Sequence, residues 1–167
     1  MVCRNYFGSQ ISSFEMPTPP PPDASDNSSY PGVFIRAPAI LSVGSGIEVL
    51  GRVLATPCRT AGAVLCELDD KIAKGETITM LKVVSDPWNR QNVSTISSSH
   101  NEERNIEVAL PLGAVQLPGA SEDDKAREVI CAIRKSNILC TAFHPEVTHD
   151  LRWHTYFLEM VKQSSSH

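Results

Sequence analysis

The apolar positions fall into short runs bounded by turn residues, and a helical period emerges only near the C-terminus. Val33-Phe34-Ile35 reads as a buried strand and Ile47-Glu48-Val49-Leu50-Gly51-Arg52-Val53-Leu54 as another, with Gly44-Ser45-Gly46 turning the chain between them. Ala63-Val64-Leu65-Cys66-Glu67-Leu68 reads as a third. In Arg127-Glu128-Val129-Ile130-Cys131-Ala132-Ile133-Arg134, the residues Val129, Cys131 and Ile133 alternate with others. The Lys135-Ser136-Asn137 turn then leads into Ile138 to Phe143, predicting an antiparallel hairpin. Beyond it, Thr148 can cap a helix that carries Asp150 in its first turn. Leu151, His154, Leu158 and Val161 share one face, with Phe157 beside them, so this face is expected to pack on the sheet. His154 reads as a structural residue on or beside that face.

Two stretches interrupt the pattern. Residues 17–32 are rich in proline and polar side chains, and read as a mobile surface insertion rather than a proline-recognition ligand. Between 82 and 124 the chain dissolves into Ser, Asn, Pro and charge, with brief apolar patches such as Val108-Ala109-Leu110, and a second insertion is expected there. The whole chain, 1–167, reads as a single domain.

Composition narrows the class. An apolar fraction of 41% over 167 residues suits a globular core. A net charge of -4 and a pI near 5.7 provide no basic stripe, so nucleic acid is not an expected partner. No apolar run approaches membrane-spanning length and the start lacks a signal peptide's apolar region, so a soluble, cytoplasmic protein is expected. The five cysteines, Cys3, Cys58, Cys66, Cys131 and Cys140, form no C-x-x-C pair and are odd in number. They fit neither a disulfide framework nor a zinc site, no metal is expected, and most should be buried thiols. The sequons at Asn27 and Asn92 read as chance.

The candidate chemistry lies in His144-Pro145-Glu146, directly after the apolar run Ile138 to Phe143. A histidine that takes a proton from a nucleophile needs a second group to fix its tautomer, and a carboxylate two residues on can do this. Pro145 restricts the backbone between them. Arg4 and Arg36 are further candidates, because two converging guanidinium forks suit an amino-acid carboxylate.

Four segments, taken in order, resemble the glutaminase subunit of pyridoxal 5'-phosphate synthase. They are Arg4-Asn5-Tyr6-Phe7-Gly8-Ser9-Gln10-Ile11-Ser12-Ser13-Phe14-Glu15, Val33-Phe34-Ile35-Arg36-Ala37-Pro38, Gly44-Ser45-Gly46-Ile47-Glu48-Val49-Leu50 and the run from Asn137 to Thr148. The ending Leu151 to Val161 is similar to that family's last helix, and the two insertions are like those of fungal members. The resemblance implies the C-terminal part of a three-layer α/β domain of the class I glutamine amidotransferase kind, with the antiparallel hairpin and terminal helix. It implies hydrolysis of L-glutamine to glutamate and ammonia for vitamin B6 biosynthesis, with the ammonia passed to a partner synthase subunit and no cofactor in the glutaminase. It also implies His144 as general base, Glu146 as its orienting carboxylate, and Arg4, Ile35 and Arg36 at the glutamine pocket.

The family's nucleophile is a cysteine in a Gly-x-Cys-x-Gly turn, preceded by a glycine-rich oxyanion loop; neither occurs in these 167 residues. Both precede the Arg-Asn-x-Phe-Gly segment in the family, so an N-terminally truncated domain is expected. Cys3 and Cys140 fall at strand positions, and Cys58, in a turn beside Arg59, is the least poor substitute; none is expected to serve. Loss of a triad nucleophile removes about 10⁶-fold of rate in a well-studied protease, so the polypeptide alone is expected to be inactive. The alternative is a non-catalytic regulatory subunit that binds the synthase.

Overall fold

The computed structural model describes residues 1–8, 13–83, 105–111 and 117–164, with the backbone alone for 77–83 and 105–111. The chain separates into two compact units, 1–67 with 116–167, and 68–115. Most of the segment expected as a second insertion, including Val93 to His100 and Asn92, lies outside the described residues, as do Ser9 to Ser12 of the first resembling segment.

The first unit is built on one antiparallel sheet and a hairpin. Its strands are β1 (Val2–Cys3), β2 (Ser13–Thr18), β3 (Tyr30–Ile35), β4 (Ala39–Ile40) and β5 (Glu48–Ala55). Helix α1 (Arg59–Ala73) begins in this unit and ends in the second. The second unit also holds β6 (Thr77–Val83) and β7 (Asn105–Pro111), paired antiparallel from Thr77↔Pro111 to Val83↔Asn105. The first unit resumes with β8 (Arg127–Lys135), β9 (Ile138–Thr141), a single 3-10 turn (Pro145–Val147) and α2 (Arg152–Ser164).

β8 is the central strand. β5 runs along one edge from Ala55↔Arg127 to Glu48↔Arg134, while the other edge is shared by β4 at Ile130 and by β9 from Ala132 to Lys135. Val129, Ile130, Cys131 and Ala132 are all buried, as expected of a strand covered on both faces. Gly51 sits at a register shift in β5, where an added Cβ would meet Cys131 Sγ at 3.1 Å, so the glycine permits close approach of the two strands. The expected 127–143 hairpin is present. Its two-residue turn places Ser136 at φ 52°, the sign required at the first central position of a II′-type turn. Every strand pairing among the described residues is antiparallel.

Four expectations are corrected. Ala63 to Leu68 is not a strand but the middle of α1: Ala61 and Leu65, four apart, are buried, while Val64 and Cys66 face outward. A six-residue apolar run satisfies either period, and the burial at i and i+4 is what distinguishes them. The 17–32 segment is not loop throughout, because Pro17-Thr18 pairs with Tyr30-Pro31 within the β2–β3 hairpin. Likewise Lys82, Val83 and residues 105–111 of the 82–124 stretch are strand. Of the five cysteines only Cys131 is buried; Cys66, on α1, and Cys140, on β9, which pairs with β8 alone among the described residues, are exposed.

The terminal helix differs most. Thr148 does not cap it; the Asp150 carboxylate does, accepting the Arg152 N–H at 3.1 Å. Its buried residues are Trp153 and Met160, whereas Leu151, Phe157, Leu158 and Val161 are 43–63% exposed. The inward face is selected by Trp153, whose ring lies edge-on to Phe143 with centroids 5.6 Å apart and to Tyr156 at 5.9 Å. An indole buries more area than any aliphatic residue on the opposite side can.

Phe143, 2% exposed, also meets Tyr30 at 5.5 Å and Phe34 at 6.0 Å, and so joins the β2–β3 hairpin, the sheet and α2. Phe143→Ala is expected to cost about 3–5 kcal/mol in urea unfolding, against within about 0.5 kcal/mol for Leu158→Ala on the exposed face. Equal losses at the two positions would contradict the observed orientation of α2.

Candidate functional site

His144 leaves the end of β9 after Phe143, in extended conformation (φ -100°, ψ 91°), and the chain then closes the Pro145–Val147 turn. Pro145 stands at the turn's start, where a missing N–H costs nothing and its fixed φ suits the geometry. The backbone N–H of His144 donates to the Val33 carbonyl at 2.8 Å, tying the residue to β3. Behind the turn, Tyr30 Oη lies 2.7 Å from Thr148 Oγ1 and 3.2 Å from the Asp150 carbonyl, and Thr148 Oγ1 lies 3.1 Å from the Pro145 carbonyl. The two hydroxyls thus satisfy carbonyls that the short turn leaves open.

The imidazole is held at both nitrogens. Nδ1 is 2.7 Å from Glu146 Oε1, and Nε2 is 3.2 Å from the Ile35 carbonyl. Both partners are acceptors, so the arrangement is fully satisfied only when both ring nitrogens carry protons. The Glu146 carboxylate raises the His144 pKa above its ordinary 6.5, against a smaller opposing effect of burial, and the Ile35 carbonyl adds to the rise. The same hydrogen bond holds Glu146 below the usual 4.5. With side chains 40% and 60% exposed, the pair contributes little to folding, since solvent screens it.

Ile35 closes β3, and Arg36 follows with φ 50°, a left-handed conformation that ordinary side chains seldom adopt. This non-glycine strain sits beside the imidazole, where the chain turns so that the Ile35 carbonyl faces Nε2. Arg36 is exposed. Arg4 is exposed too, in the turn after β1, whose Cys3 pairs with Ala39. By that antiparallel register Arg4 and Arg36 lie toward the same end of the β1–β4 pair, but Arg4 makes no hydrogen bond or ion pair to the other four residues. The structure therefore brings His144, Glu146 and Ile35 into direct contact and sets Arg36 next to them.

Cys58 is engaged elsewhere. Its thiol donates to the Asn5 carbonyl at 3.2 Å and its sulfur accepts the Ala61 N–H at the start of α1. Among the described residues no cysteine hydrogen-bonds His144, and no group of three His, Cys, Asp or Glu side chains could hold a metal. No described helix is long and apolar enough to cross a membrane.

Sequence reading missed the supports. Arg152 forks onto Asp150, with Nη2 2.6 Å from Oδ2 and Nε 3.0 Å from Oδ1, and donates to the carbonyls of Asp26, Ser28 and Ser29 at 2.6–3.0 Å. This anchors to the start of α2 a segment that had read as a mobile insertion. Tyr30, at the border of a proline-rich stretch, carried no sequence signal for its role behind the turn.

The chain is 34% identical over 165 residues to "Probable pyridoxal 5'-phosphate synthase subunit PDX2" of Arabidopsis thaliana, covering 97% of this chain and 46% of that protein. It is 30% identical over 160 residues to pyridoxal 5'-phosphate synthase subunit PdxT of Methanocella arvoryzae, covering 96% and 42%. The PdxT of Moorella thermoacetica matches at 54% over 35 residues. A crystal structure of a glutamine amidotransferase overlaps 96% of this chain and 44% of its own, with TM-score 0.45 and 24% identity. No protein-family model matches. The chain thus spans a little under half the length of the curated relatives it matches.

The hydrogen-bond geometry fixes a pH signature. His144 is expected to titrate above 6.5 in a histidine NMR titration, and Glu146→Gln to bring it down, because the carboxylate is the largest cause of the rise. Since the folded pKa is raised, the pair's small stabilisation is complete below about 6.5 and fades as pH climbs through the folded value. Its Glu146 component fades in turn as pH falls through that group's lowered pKa. An unchanged His144 titration in Glu146→Gln would refute the pairing.

Proposed function

We propose, for a chain whose curated homologues are pyridoxal 5'-phosphate synthase subunits of the PDX2 and PdxT kind, that it carries the proton-handling part of a glutaminase site. The observation that carries this reading is the His144–Glu146 contact at 2.7 Å, at the end of a core strand and beside the Ile35 carbonyl. In it, Glu146 fixes the Nδ1–H tautomer and stabilises the imidazolium, leaving Nε2 to exchange a proton with a cysteine thiol and then with the leaving ammonia. Ile35 and Arg36 place a backbone carbonyl and a guanidinium where an L-glutamine head group would sit, with Arg4 at the same end of the neighbouring strand pair. No cofactor is called for, because acyl transfer through a thiol needs only the base and an oxyanion hole. The ammonia would pass to a synthase subunit in the cytoplasm.

The nucleophile comes, on this reading, from residues outside these 167. None of the five cysteines stands in a Gly-x-Cys-x-Gly setting, and Nε2 is occupied by a carbonyl rather than a thiol. Beside His144, β9 pairs on one side only among the described residues, Cys140 and Ile138 face outward, and α2 presents Phe157, Leu158 and Val161 to solvent. Such a combined edge and apolar face is what a nucleophile-bearing half-domain would cover. The occupied Nε2 also suits the second reading, a non-catalytic subunit that binds the synthase without turnover.

The purified chain with a synthase subunit is expected to release no glutamate from glutamine above background. Adding the Gly-x-Cys-x-Gly-bearing part of a curated relative should restore turnover, and His144→Ala should then lower kcat by about 10³-fold or more. Turnover by the chain alone that Cys58→Ala abolishes would overturn the claim of an external nucleophile. Co-purification with the synthase and no turnover in any mixture would favour the regulatory reading.

A further inference from the structure

Away from His144, a cavity of about 600 Å³ opens between the Pro21–Ser25 segment and α2, with Arg134 from the end of β8 in its wall. Its volume suits a small organic molecule. Pro21, Leu151 and Met160 line it with apolar surface, and Tyr156 adds an aromatic ring.

The wall is preorganised. The Ala24 N–H donates to the Pro21 carbonyl at 3.3 Å, closing a turn with Pro22 and Asp23 at its centre. Asp23 has φ 63°, a conformation in which glycine is the low-strain choice and Asp one of the few tolerated alternatives. The loop's other end is held by Arg152, whose guanidinium binds three of its carbonyls.

Four charged side chains line the cavity, and two are neutralised locally: Arg152 by Asp150, and Glu159 by Lys162 at 2.6 Å. The other two have opposite sign and form no ion pair among the described residues, although Glu48 stands opposite Arg134 across the β5–β8 pair. Arg134 donates through Nε to the Ser136 carbonyl at 3.1 Å and through Nη1 to Tyr156 Oη at 3.2 Å, with its guanidinium 6.0 Å from that ring's centre. Three of its five N–H donors remain available, including one on each terminal nitrogen, the end-on pair that a carboxylate accepts. Asp23 is exposed and makes no hydrogen bond or ion pair with any described residue.

We propose that this cavity binds a small zwitterion, an α-amino acid with an apolar side chain. Arg134 takes its carboxylate, Asp23 its ammonium, and the Pro21, Leu151 and Met160 surface its side chain. Neither charge alone would select such a ligand; an anion would meet Asp23 unpaired, and a cation would meet Arg134. None of the residues grouped with His144 lines the cavity, so the site is independent of the glutaminase reading.

The test is saturation-transfer NMR and calorimetry on the full chain with L-phenylalanine, L-leucine, 3-phenylpropionate and phenethylamine. The amino acids should bind at least about ten-fold more tightly than either single-charge analogue, since each lacks one charge-assisted contact. Arg134→Gln and Asp23→Asn should each weaken L-phenylalanine about ten-fold. Asp23→Asn should leave 3-phenylpropionate unweakened. Arg134→Lys, which keeps the charge while losing the fork, should fall between wild type and Arg134→Gln, and guards against misfolding of the glutamine variant. Absence of binding by every probe, equal affinity for 3-phenylpropionate and L-phenylalanine, or indifference of L-phenylalanine to both charge-removing variants would each overturn the proposal.

Discussion

Phe143 is the joint of the first unit. Its ring touches Tyr30 and Phe34 from the hairpin and Trp153 from the terminal helix, and the residue that follows it is His144. The apolar contacts therefore position the catalytic candidate directly: once the ring is seated, His144 N–H reaches the Val33 carbonyl and the imidazole reaches Ile35 and Glu146. Phe14 stacks on Phe34 with planes 6° apart, and Phe7 lies 5.2–5.3 Å from both, so the segment beside Arg4 enters the same aromatic chain. Packing of this kind tolerates little displacement, which is how a loop histidine gains a defined orientation.

The electrostatics follow from that placement. A carboxylate on one nitrogen and a carbonyl on the other favour the imidazolium, which is the product side of a base-catalysed step rather than its start. A thiol reaching Nε2 would have to displace the Ile35 carbonyl, and the left-handed Arg36 beside it is where the backbone already carries strain.

Much of this was legible because local chemistry and tertiary role agreed. β3, β5 and the 127–141 hairpin are apolar runs bounded by strong turn residues, and His144-Pro145-Glu146 carries its own geometry in a two-residue spacing. The misreadings arose where one pattern satisfied two structures. Ala63 to Leu68 fits a strand or a helix, and α2 has two apolar stripes, of which the aliphatic one was the more regular. Arg152 and Tyr30 were illegible because their partners are mostly backbone carbonyls more than a hundred residues away, which no residue pattern encodes.

The sequence by itself determined the elements whose information is local: β3, β5, the β8–β9 hairpin with its turn at Lys135 to Asn137, and a histidine and carboxylate close enough to meet on any extended-to-turn backbone. Only the tertiary structure decided which face of α2 turns inward, because that depends on the rings Trp153 meets rather than on its own periodicity. It also decided that Nε2 faces a carbonyl, that a proline-rich loop is anchored by Arg152, and that Arg134 and Asp23 share a cavity. In each case the deciding energy is a contact between distant segments, and such contacts exist only once the chain has folded.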